Sequence, residues 1–370
     1  MPGRRREASD DHNRLIEPHL PKGETPAEEG FATSGNSKAS NANMRLLTYE
    51  YPELTPGTKR YGTVAETVFP VACPNQCICQ PVDSVRIIDS SRAYEPPAII
   101  QANFTKIISA HQGSHMHNRT VIRVDDRSCS DGRLCLWTSR STYFNSAVTN
   151  RAMDYDFGEV TVRKLFEYGP RVSPLNASKL SNHLGHNAFV ITADGHVPFV
   201  VRSKELSIGK LTLGCSIGAG VKSKYALGGE SGEFSPAGLL NSVTCEIEDE
   251  LKVEPSEVVG TPQTIAPYRD LLEGGKPQLC ICAHTSLDRE ALGKRFKRVV
   301  SKKPRGGLPP DAELLEDGKV IVWASREKLR EAAIAPGFLF VAGRKYAMLP
   351  SMAASVALLI KSGLLSEERS

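Results

Sequence analysis

The acidic residues of one short segment are the strongest chemical signal in this sequence. Glu246 and Glu250 are four positions apart, so on a helix they lie on one face, and Asp249 lies beside them. Like charges at this spacing repel and cost stability unless a cation lies over them. Hard divalent cations such as Mg2+ or Mn2+ prefer carboxylate ligands. The cluster therefore indicates either a metal site or, equally well, a solvated acidic helix face.

The apolar residues around these acids predict the element that carries them. Val243, Ile247 and Leu251 recur at helical spacing, so residues 241–250 are predicted to form a helix that buries those three side chains. The Ser-Pro pair at 235–236 is typical of an N-cap followed by a first helical residue. We expect the carboxylates of the two glutamates to reach one cavity.

Composition and charge limit the class of protein. The chain has 370 residues, of which 40% are hydrophobic and 24% are charged, as is ordinary for a soluble globular protein. A net charge of +4 requires neither a nucleic acid nor a membrane as partner, and no apolar run approaches the roughly 20 residues of a membrane span. Residues 1–44 lack the apolar core of a signal peptide and are predicted to be a disordered tail. The default expectation is a cytoplasmic protein.

The cysteines could bind zinc but do not follow a common zinc pattern. Cys73, Cys77 and Cys79 form a C-x3-C-x-C cluster that matches no frequent ligand spacing closely. Buried or half-buried thiols in a reducing compartment are the better interpretation. We therefore expect that these three sulfur atoms do not converge with a histidine in tetrahedral geometry.

The order of predicted elements divides the chain. Residues 45–165 mix strand-like pieces, such as 99–108, with loops and are predicted to form an accessory α+β region. In 166–365 the signals are sharper, because the apolar runs 187–193 and 196–202 flank an Asp-Gly pair that predicts a hairpin. Alternating strands and helices follow, which predicts an α/β layered domain with a mixed sheet.

A hairpin, a glycine-rich loop, an acidic helix and a pair of strands, in this order, resemble the Nudix superfamily. The second half of its sequence box reads Arg-Glu-aliphatic-x-Glu-Glu-x-Gly-aliphatic, and residues 245–253 read Cys-Glu-Ile-Glu-Asp-Glu-Leu-Lys-Val. The acidic pattern is kept, whereas Cys245 replaces the arginine and Lys252 replaces the glycine. The first half of the box does not align, because the loop between Gly218 and the helix is too long.

Within the superfamily the chain is similar to the branch that includes UDP-glucose diphosphatase. The similarity covers roughly residues 140–290, in several segments that keep the same order. These segments are Thr-Tyr-Phe at 142–144, Thr-Asn-Arg at 149–151, Leu-Asn-Ala-Ser-Lys-Leu-Ser-Asn-His-Leu-Gly at 175–185, Val-Ile-Thr-Ala-Asp-Gly at 190–195, and Tyr-Arg-Asp at 268–270.

The resemblance implies a fold and an activity. It implies a Nudix-like α/β/α sandwich with a mixed sheet over 166–365, and metal-dependent hydrolysis of a nucleoside diphosphate linked to another group. A UDP-sugar is the first candidate substrate, with UMP and a sugar 1-phosphate as products. Glu246, Asp249 and Glu250 would be the catalytic acids, and Glu246 and Glu250 would hold Mg2+ or Mn2+. The alternative is a catalytically inactive Nudix-like nucleotide-binding or regulatory protein, since the box arginine that orients the neighbouring glutamate is missing.

Four further residues are candidates for substrate binding. Arg202 could clamp a diphosphate through a bidentate guanidinium contact, although a surface arginine is an equally good interpretation. Gly218 would let a ligand approach the backbone closely. Asn150 could contact the base or the ribose, or merely cap a helix, and Arg269 lies beside a predicted hairpin turn.

The remaining partner classes have less support. The cations of 294–305 are typical of a solvated helix and its exit loop, so nucleic-acid binding is the least supported function. The expected partner is a small-molecule nucleoside diphosphate derivative, and no membrane is expected. The sequence leaves the oligomeric state open, a homodimer included.

Overall fold

The computed structural model describes residues 63–64, 67–73, 78–111, 117–158, 160–167, 172–202, 209, 212–228, 232–300 and 320–366. The predicted tail and Cys77 lie outside these residues.

The strands are β1 (Thr63–Val64), β2 (Thr67–Val68), β3 (Val71–Ala72), β4 (Gln80–Pro81), β5 (Arg86–Ala93), β6 (Thr120–Ser130), β7 (Arg133–Thr142), β8 (Gly185–Ile191), β9 (His196–Val201), β10 (Ile217–Gly220), β11 (Leu227–Gly228), β12 (Glu233–Phe234), β13 (Gln263–Asp270), β14 (Lys276–His284), β15 (Val320–Ser325), β16 (Ala333–Ala335), β17 (Phe338–Val341) and β18 (Arg344–Ala347). The α-helices are α1 (Ala98–Ala110), α2 (Tyr143–Val148), α3 (Val162–Phe166), α4 (Ser223–Ala226), α5 (Gly238–Leu251), α6 (Arg289–Val300), α7 (Arg326–Arg330) and α8 (Pro350–Lys361).

The expectation of a mixed α/β fold is confirmed by the largest sheet. Its strands lie in the order β10-β8-β14-β13-β3, and β4 also pairs with β13. The β8–β14 pair is parallel, whereas the other pairs are antiparallel. The domain boundaries inferred from the sequence stay a prediction.

Helices pack on both faces of this sheet. Successive side chains of a strand point to opposite faces. On β8, Ala188 and Val190 therefore join the core that includes α5, whereas Phe189 and Ile191 join the core that includes α8. All four side chains are buried, so β8 is an apolar run rather than an alternating one, as is typical of a strand covered on both sides.

Helix α5 confirms the predicted acidic helix. Val243, Ile247 and Leu251 are fully buried, as their spacing predicts. The helix begins at Gly238, later than the Ser-Pro signal indicates, and Ala237 is the N-cap. A Cβ on Gly238 would lie 2.1 Å from the carbonyl oxygen of Ala226, so the first turn packs directly against the backbone of an earlier segment.

The predicted hairpin after β8 is correct in its turn but not in its pairing. Gly195 has a φ of 75°, as the Asp-Gly turn requires. However, β9 pairs with β15, and β8 lies between β10 and β14. The hydroxyl group of Ser216 lies between the two segments, since it accepts from the amide of Val190 and donates to the carbonyl of Pro198. A side chain therefore replaces the ladder that the hairpin signal predicts.

The region before β8 contains a second mixed sheet. Its order is β5-β7-β6, in which β5 and β7 are parallel. The prediction of a strand at 99–108 is wrong, because these residues belong to α1. Ile100 and Ile107 are fully buried and Phe104 packs beside them, a spacing of four and three that matches one helix face.

This region is fixed to the turn between β13 and β14. The guanidinium of Arg163 donates to the carbonyls of Leu271 and Leu272 at 3.1 and 2.7 Å. It also pairs with the carboxylate of Asp154 at 2.9 Å. These bonds satisfy the backbone of a buried turn that has no regular structure of its own.

None of the helices in the described part of the chain has the length and apolarity that crossing a membrane requires.

Candidate functional site

The acidic residues of α5 lie against the edge of the large sheet. Glu246 and Glu250 are both buried, with 1% and 7% of their surface exposed, whereas Glu248 on the same helix is exposed. The amide of Gly218, on the edge strand β10, donates to Glu250 Oε2 at 3.4 Å. The two predicted metal ligands therefore share the buried side of the helix. That both carboxylates open onto one cavity stays a prediction.

Lysine side chains provide the positive charge that this cluster requires. Lys222 Nζ lies 3.0 Å from Glu246 Oε1 and 3.8 Å from Asp249 Oδ2. Lys224 Nζ lies 3.9 Å from Asp249 Oδ2, and the hydroxyl of Tyr225 donates to the same oxygen at 2.5 Å. Lys222 is itself buried, so its attraction to the carboxylates is screened little by solvent. The repulsion expected between the acids is offset by these ion pairs.

Arg202 and Gly218 lie together at the edge strand β10 of the large sheet. A Cβ placed on Gly218 would be 3.5 Å from Arg202 Nη1, and one on Gly214 would be 3.4 Å from Arg202 Cγ. The arginine side chain therefore extends along the glycine-rich stretch that precedes α4. Of the four predicted substrate-binding residues, Gly218 therefore lies against the acids, through Glu250, and Arg202 lies against Gly218.

The other two, Arg269 and Asn150, make contacts elsewhere. Arg269 donates to the carbonyls of Gly275 and Ser173 at 2.7 and 2.6 Å. Burial lowers the pKa of its guanidinium to about 10. Asn150 is buried, donates to the carbonyl of Glu273 at 2.8 Å and accepts from the amide of Asn182 at 2.8 Å. Both side chains hold backbone segments in place, and their role in substrate binding stays a prediction.

Two buried histidines lie at the start of β8, and their positions in the sequence do not mark them as special. Within the described part of the chain, neither ring nitrogen of His183 or His186 has a hydrogen-bond partner. Burial lowers the pKa of His186 from 6.5 to about 4, and the charges of Lys222 and Lys276 act in the same direction. Burial also holds the pKa of His183 well below its ordinary value. Both imidazoles are therefore neutral near pH 7.

The imidazole of His183 requires a glycine on the neighbouring strand. A Cβ on Gly220 would lie 2.2 Å from two atoms of this ring, far inside normal contact. Gly220→Ala is therefore expected to lower the free energy of unfolding by about 1–3 kcal/mol, the usual cost of overpacking. Urea denaturation of both proteins measures this difference.

Gly293→Ala provides the matched control for this substitution. A Cβ there meets only Trp323 at 3.6 Å, an ordinary contact, and alanine favours the helical conformation of α6. Its stability is expected to be unchanged or slightly higher. Equal stability of Gly220→Ala and the wild-type protein would mean that the His183 ring moves away without cost.

The donors at α5 fit a magnesium ion better than a zinc ion. Among the described residues, no group of three or more His, Cys, Asp or Glu side chains converges as a metal site. Mg2+ is usually held by one or two carboxylates together with waters and substrate phosphates. Glu246 and Glu250, one turn apart on the same buried face, match such a two-carboxylate set.

Comparison with known proteins gives little further information. No family model matches the sequence, and no curated protein matches it significantly. The crystal structure of DR0079 from Deinococcus radiodurans is similar over 40% of this chain and 70% of that one, with 18% sequence identity and a TM-score of 0.24. A likeness at that TM-score carries no argument about fold or function.

Proposed function

We propose that this protein is a divergent Nudix-type hydrolase that cleaves a nucleoside diphosphate linked to another group. A UDP-sugar is the first candidate substrate, with UMP and a sugar 1-phosphate as products. The large sheet, with α5 on one face and α8 on the other, would then be the Nudix sandwich. The observation that carries the proposal is the burial of Glu246 and Glu250 on one face of α5, where the amide of Gly218 donates to Glu250.

The end of α5 supports the resemblance to the Nudix box. Lys252 stands where the box has glycine, and its backbone is left-handed, with a φ of 60°. Glycine adopts this conformation readily, whereas other residues adopt it at some cost. The chain therefore keeps the backbone geometry that a helix ending in glycine has, although the residue itself has changed.

Lys222 supports the proposal in a second way. The box arginine orients the neighbouring glutamate, and Cys245 cannot do so. Lys222 Nζ, from the preceding loop, lies 3.0 Å from Glu246 Oε1. We infer that Lys222 orients Glu246 in place of the missing arginine. Fixing the orientation of a ligand in this way is a general requirement of metal sites.

The residues of the site would then have separate roles. Arg202 would bind oxygen atoms of the diphosphate through its guanidinium group, and Gly218 would leave room for the phosphates near the backbone. Tyr225 holds the carboxylate of Asp249 by a hydrogen bond, which favours an outer role for this acid. A metal ion held by Glu246 and Glu250 would supply charge neutralisation at the diphosphate and a more acidic bound water.

The test is an assay of nucleotide release. The purified full-length protein would be incubated with a panel of UDP-, GDP- and ADP-sugars in Mg2+, in Mn2+ or in a chelator, and the nucleoside monophosphate would be separated by ion-exchange chromatography. We expect UMP release from a UDP-sugar that requires the metal. Absence of metal-dependent turnover on every member of the panel would exclude the hydrolase.

A second function is favoured by the same lysines. Because Lys222 and Lys224 already lie beside Glu246 and Asp249, the acids are neutralised without a metal ion. The protein would then be a Nudix-like nucleotide-binding protein without hydrolysis. Calorimetric titration with UDP-glucose in a chelator separates the two functions, since the binding protein retains its affinity there whereas the hydrolase binds more tightly with metal.

A further inference from the structure

A cavity in the accessory region is independent of the site at α5. Its volume is about 560 Å3, within the usual range of small-molecule sites. It lies where the end of β5 and the start of α1 meet β6, β7 and the segment before β8. We call it the accessory cavity, and its lining includes Arg92, Tyr94, Glu95, Arg123, Phe166 and Lys179.

Positive charge is in excess in the accessory cavity. Arg123 forms a salt bridge with Asp125, whose carboxylate also accepts from Ser139. By contrast, Arg92 and Lys179 have no salt-bridge partner among the described residues, and both are exposed. Cations gathered in a concave site concentrate the local electric field and attract anions.

The buried Arg123, which lines the cavity, has a donor without a partner among the described residues. Arg123 is 9% exposed, and its Nε has no hydrogen-bond partner within the described part of the chain. One of its two terminal nitrogens, Nη2, donates to the carbonyls of Ser178 and Leu180 at 3.3 and 3.4 Å. These are long hydrogen bonds. The nearby charge of Arg92 lowers the pKa of Arg123 further, after the larger effect of burial. An anion in the cavity would relieve this repulsion.

Planar side chains that could stack on a ligand line the same cavity. The Arg123 guanidinium lies over the Tyr94 ring, 5.1 Å from its centroid. The Tyr94 hydroxyl donates to the carbonyl of Lys179 at 2.7 Å, which fixes the ring orientation. Phe166 is half-buried and packs against the core of the accessory region. Guanidinium and aromatic faces both stack on planar ligands.

We propose that the accessory cavity binds a small molecule that joins a planar aromatic ring to a phosphate group, as a nucleotide does. Arg92 and Lys179 contact the phosphate, where charge-assisted bonds are strong. The ring lies among Tyr94, Phe166 and the Arg123 guanidinium. This site is separate from Glu246 and Glu250 and does not depend on the function proposed for them.

The test is calorimetric titration of the full-length protein with UMP and with AMP in a chelator, which removes any metal-dependent contribution. Ribose 5-phosphate and the free nucleosides serve as probes that lack the ring or the phosphate. We expect at least one nucleotide to bind, and each incomplete probe to bind more weakly by about tenfold or more. Binding should also weaken as salt is raised.

Substitutions test whether the nucleotide binds in the accessory cavity. Arg92→Gln combined with Lys179→Gln removes two exposed charges, so folding is preserved, and Kd is expected to rise by about tenfold or more. Lys164→Gln is the matched control, because Lys164 is exposed in the neighbouring helix α3 but does not line the cavity. Glu250→Gln, which keeps the buried pair of Lys222 and Glu246, should leave this affinity unchanged.

Three results would overturn the proposal. The first is failure of both nucleotides to bind at millimolar concentration. The second is wild-type affinity in the Arg92→Gln, Lys179→Gln protein. The third is loss of binding in the Glu250→Gln protein alone, which would assign the nucleotide to α5 and leave the hydrolase proposal standing without the accessory site.

Discussion

Replacing Glu246 or Glu250 by glutamine is expected to lower metal-dependent UMP release by on the order of a hundredfold or more. Glutamine keeps the size of the side chain and its helix propensity but removes the negative charge that holds a cation. The affinity for Mg2+ should fall together with the rate. Steady-state kinetics over a range of Mg2+ concentrations measure both quantities, and saturating metal should restore only part of the rate.

The two substitutions should differ in their effect on stability. From the sequence, relief of carboxylate repulsion would make either variant more stable without metal. In the structure, Glu246 instead pairs with buried Lys222, so Glu246→Gln leaves a buried ammonium with a weaker partner. Breaking a buried pair from one side costs about 3 kcal/mol or more, although Asp249 at 3.8 Å retains part of the attraction. Glu250→Gln should be tolerated better.

Two variants of the same helix serve as controls. Glu248 is exposed on α5, so Glu248→Gln removes a neighbouring charge without touching the buried face and should keep the wild-type rate. Asp249→Asn should have an intermediate effect, because Tyr225 and the lysines already hold this shorter side chain. Wild-type turnover in both Glu246→Gln and Glu250→Gln would show that the catalytic assignment is wrong.

Local patterns in the sequence predict the elements better than their pairing. The period of Val243, Ile247 and Leu251 predicts α5 because burial of one face is a local property of a helix. At 99–108 the same signal is present, since Ile100 and Ile107 are spaced for one helix face, so the prediction of a strand there overlooks a local pattern. The partner of β9 is β15, more than a hundred residues away, and no local rule can specify such a pair.

In the candidate site, too, local sequence patterns predict some residues, whereas others depend on tertiary contacts. The acids of α5 are recognisable because they lie within one turn of a helix. Lys222 reaches Glu246 from a loop 24 positions earlier (246 − 222), so its contact depends on how β10 and α4 place the chain. His186 is buried in a strand whose pattern resembles that of any core strand. Residues that act through tertiary contacts have no fixed spacing from which they could be predicted.

The buried histidines should make the stability of the protein sensitive to acid. Burial lowers the pKa of His186 from 6.5 to about 4 in the folded protein, whereas in the unfolded chain it returns to about 6.5. A lowered histidine pKa contributes stability that is present above about pH 6.5 and is lost as the pH falls towards 4. Between about pH 7.5 and about pH 5, His186 alone would cost about 2 kcal/mol. His183 acts in the same direction.

Asp270 opposes this effect. Burial raises the pKa of its carboxyl group to about 7, and the charge of Glu273 adds to the rise. A raised carboxyl pKa contributes stability that is fully present below about pH 4 and is lost as the pH rises through 7. Over the same interval Asp270 therefore stabilises the folded protein on acidification. The pH dependence of the wild-type protein is therefore the sum of opposing contributions.

Single substitutions separate the two groups. We expect His186→Gln to reduce the loss of stability between about pH 7.5 and about pH 5 by about 2 kcal/mol, and Asp270→Asn to increase that loss. Urea denaturation at both pH values gives the free energies of unfolding, and each variant is judged by the difference between its own two values. A change in packing common to both pH values therefore cancels. If the stability of His186→Gln depended on pH as that of the wild-type protein does, the imidazole would be protonated as readily in the folded protein as in the unfolded chain. The complete burial of His186 argues against this.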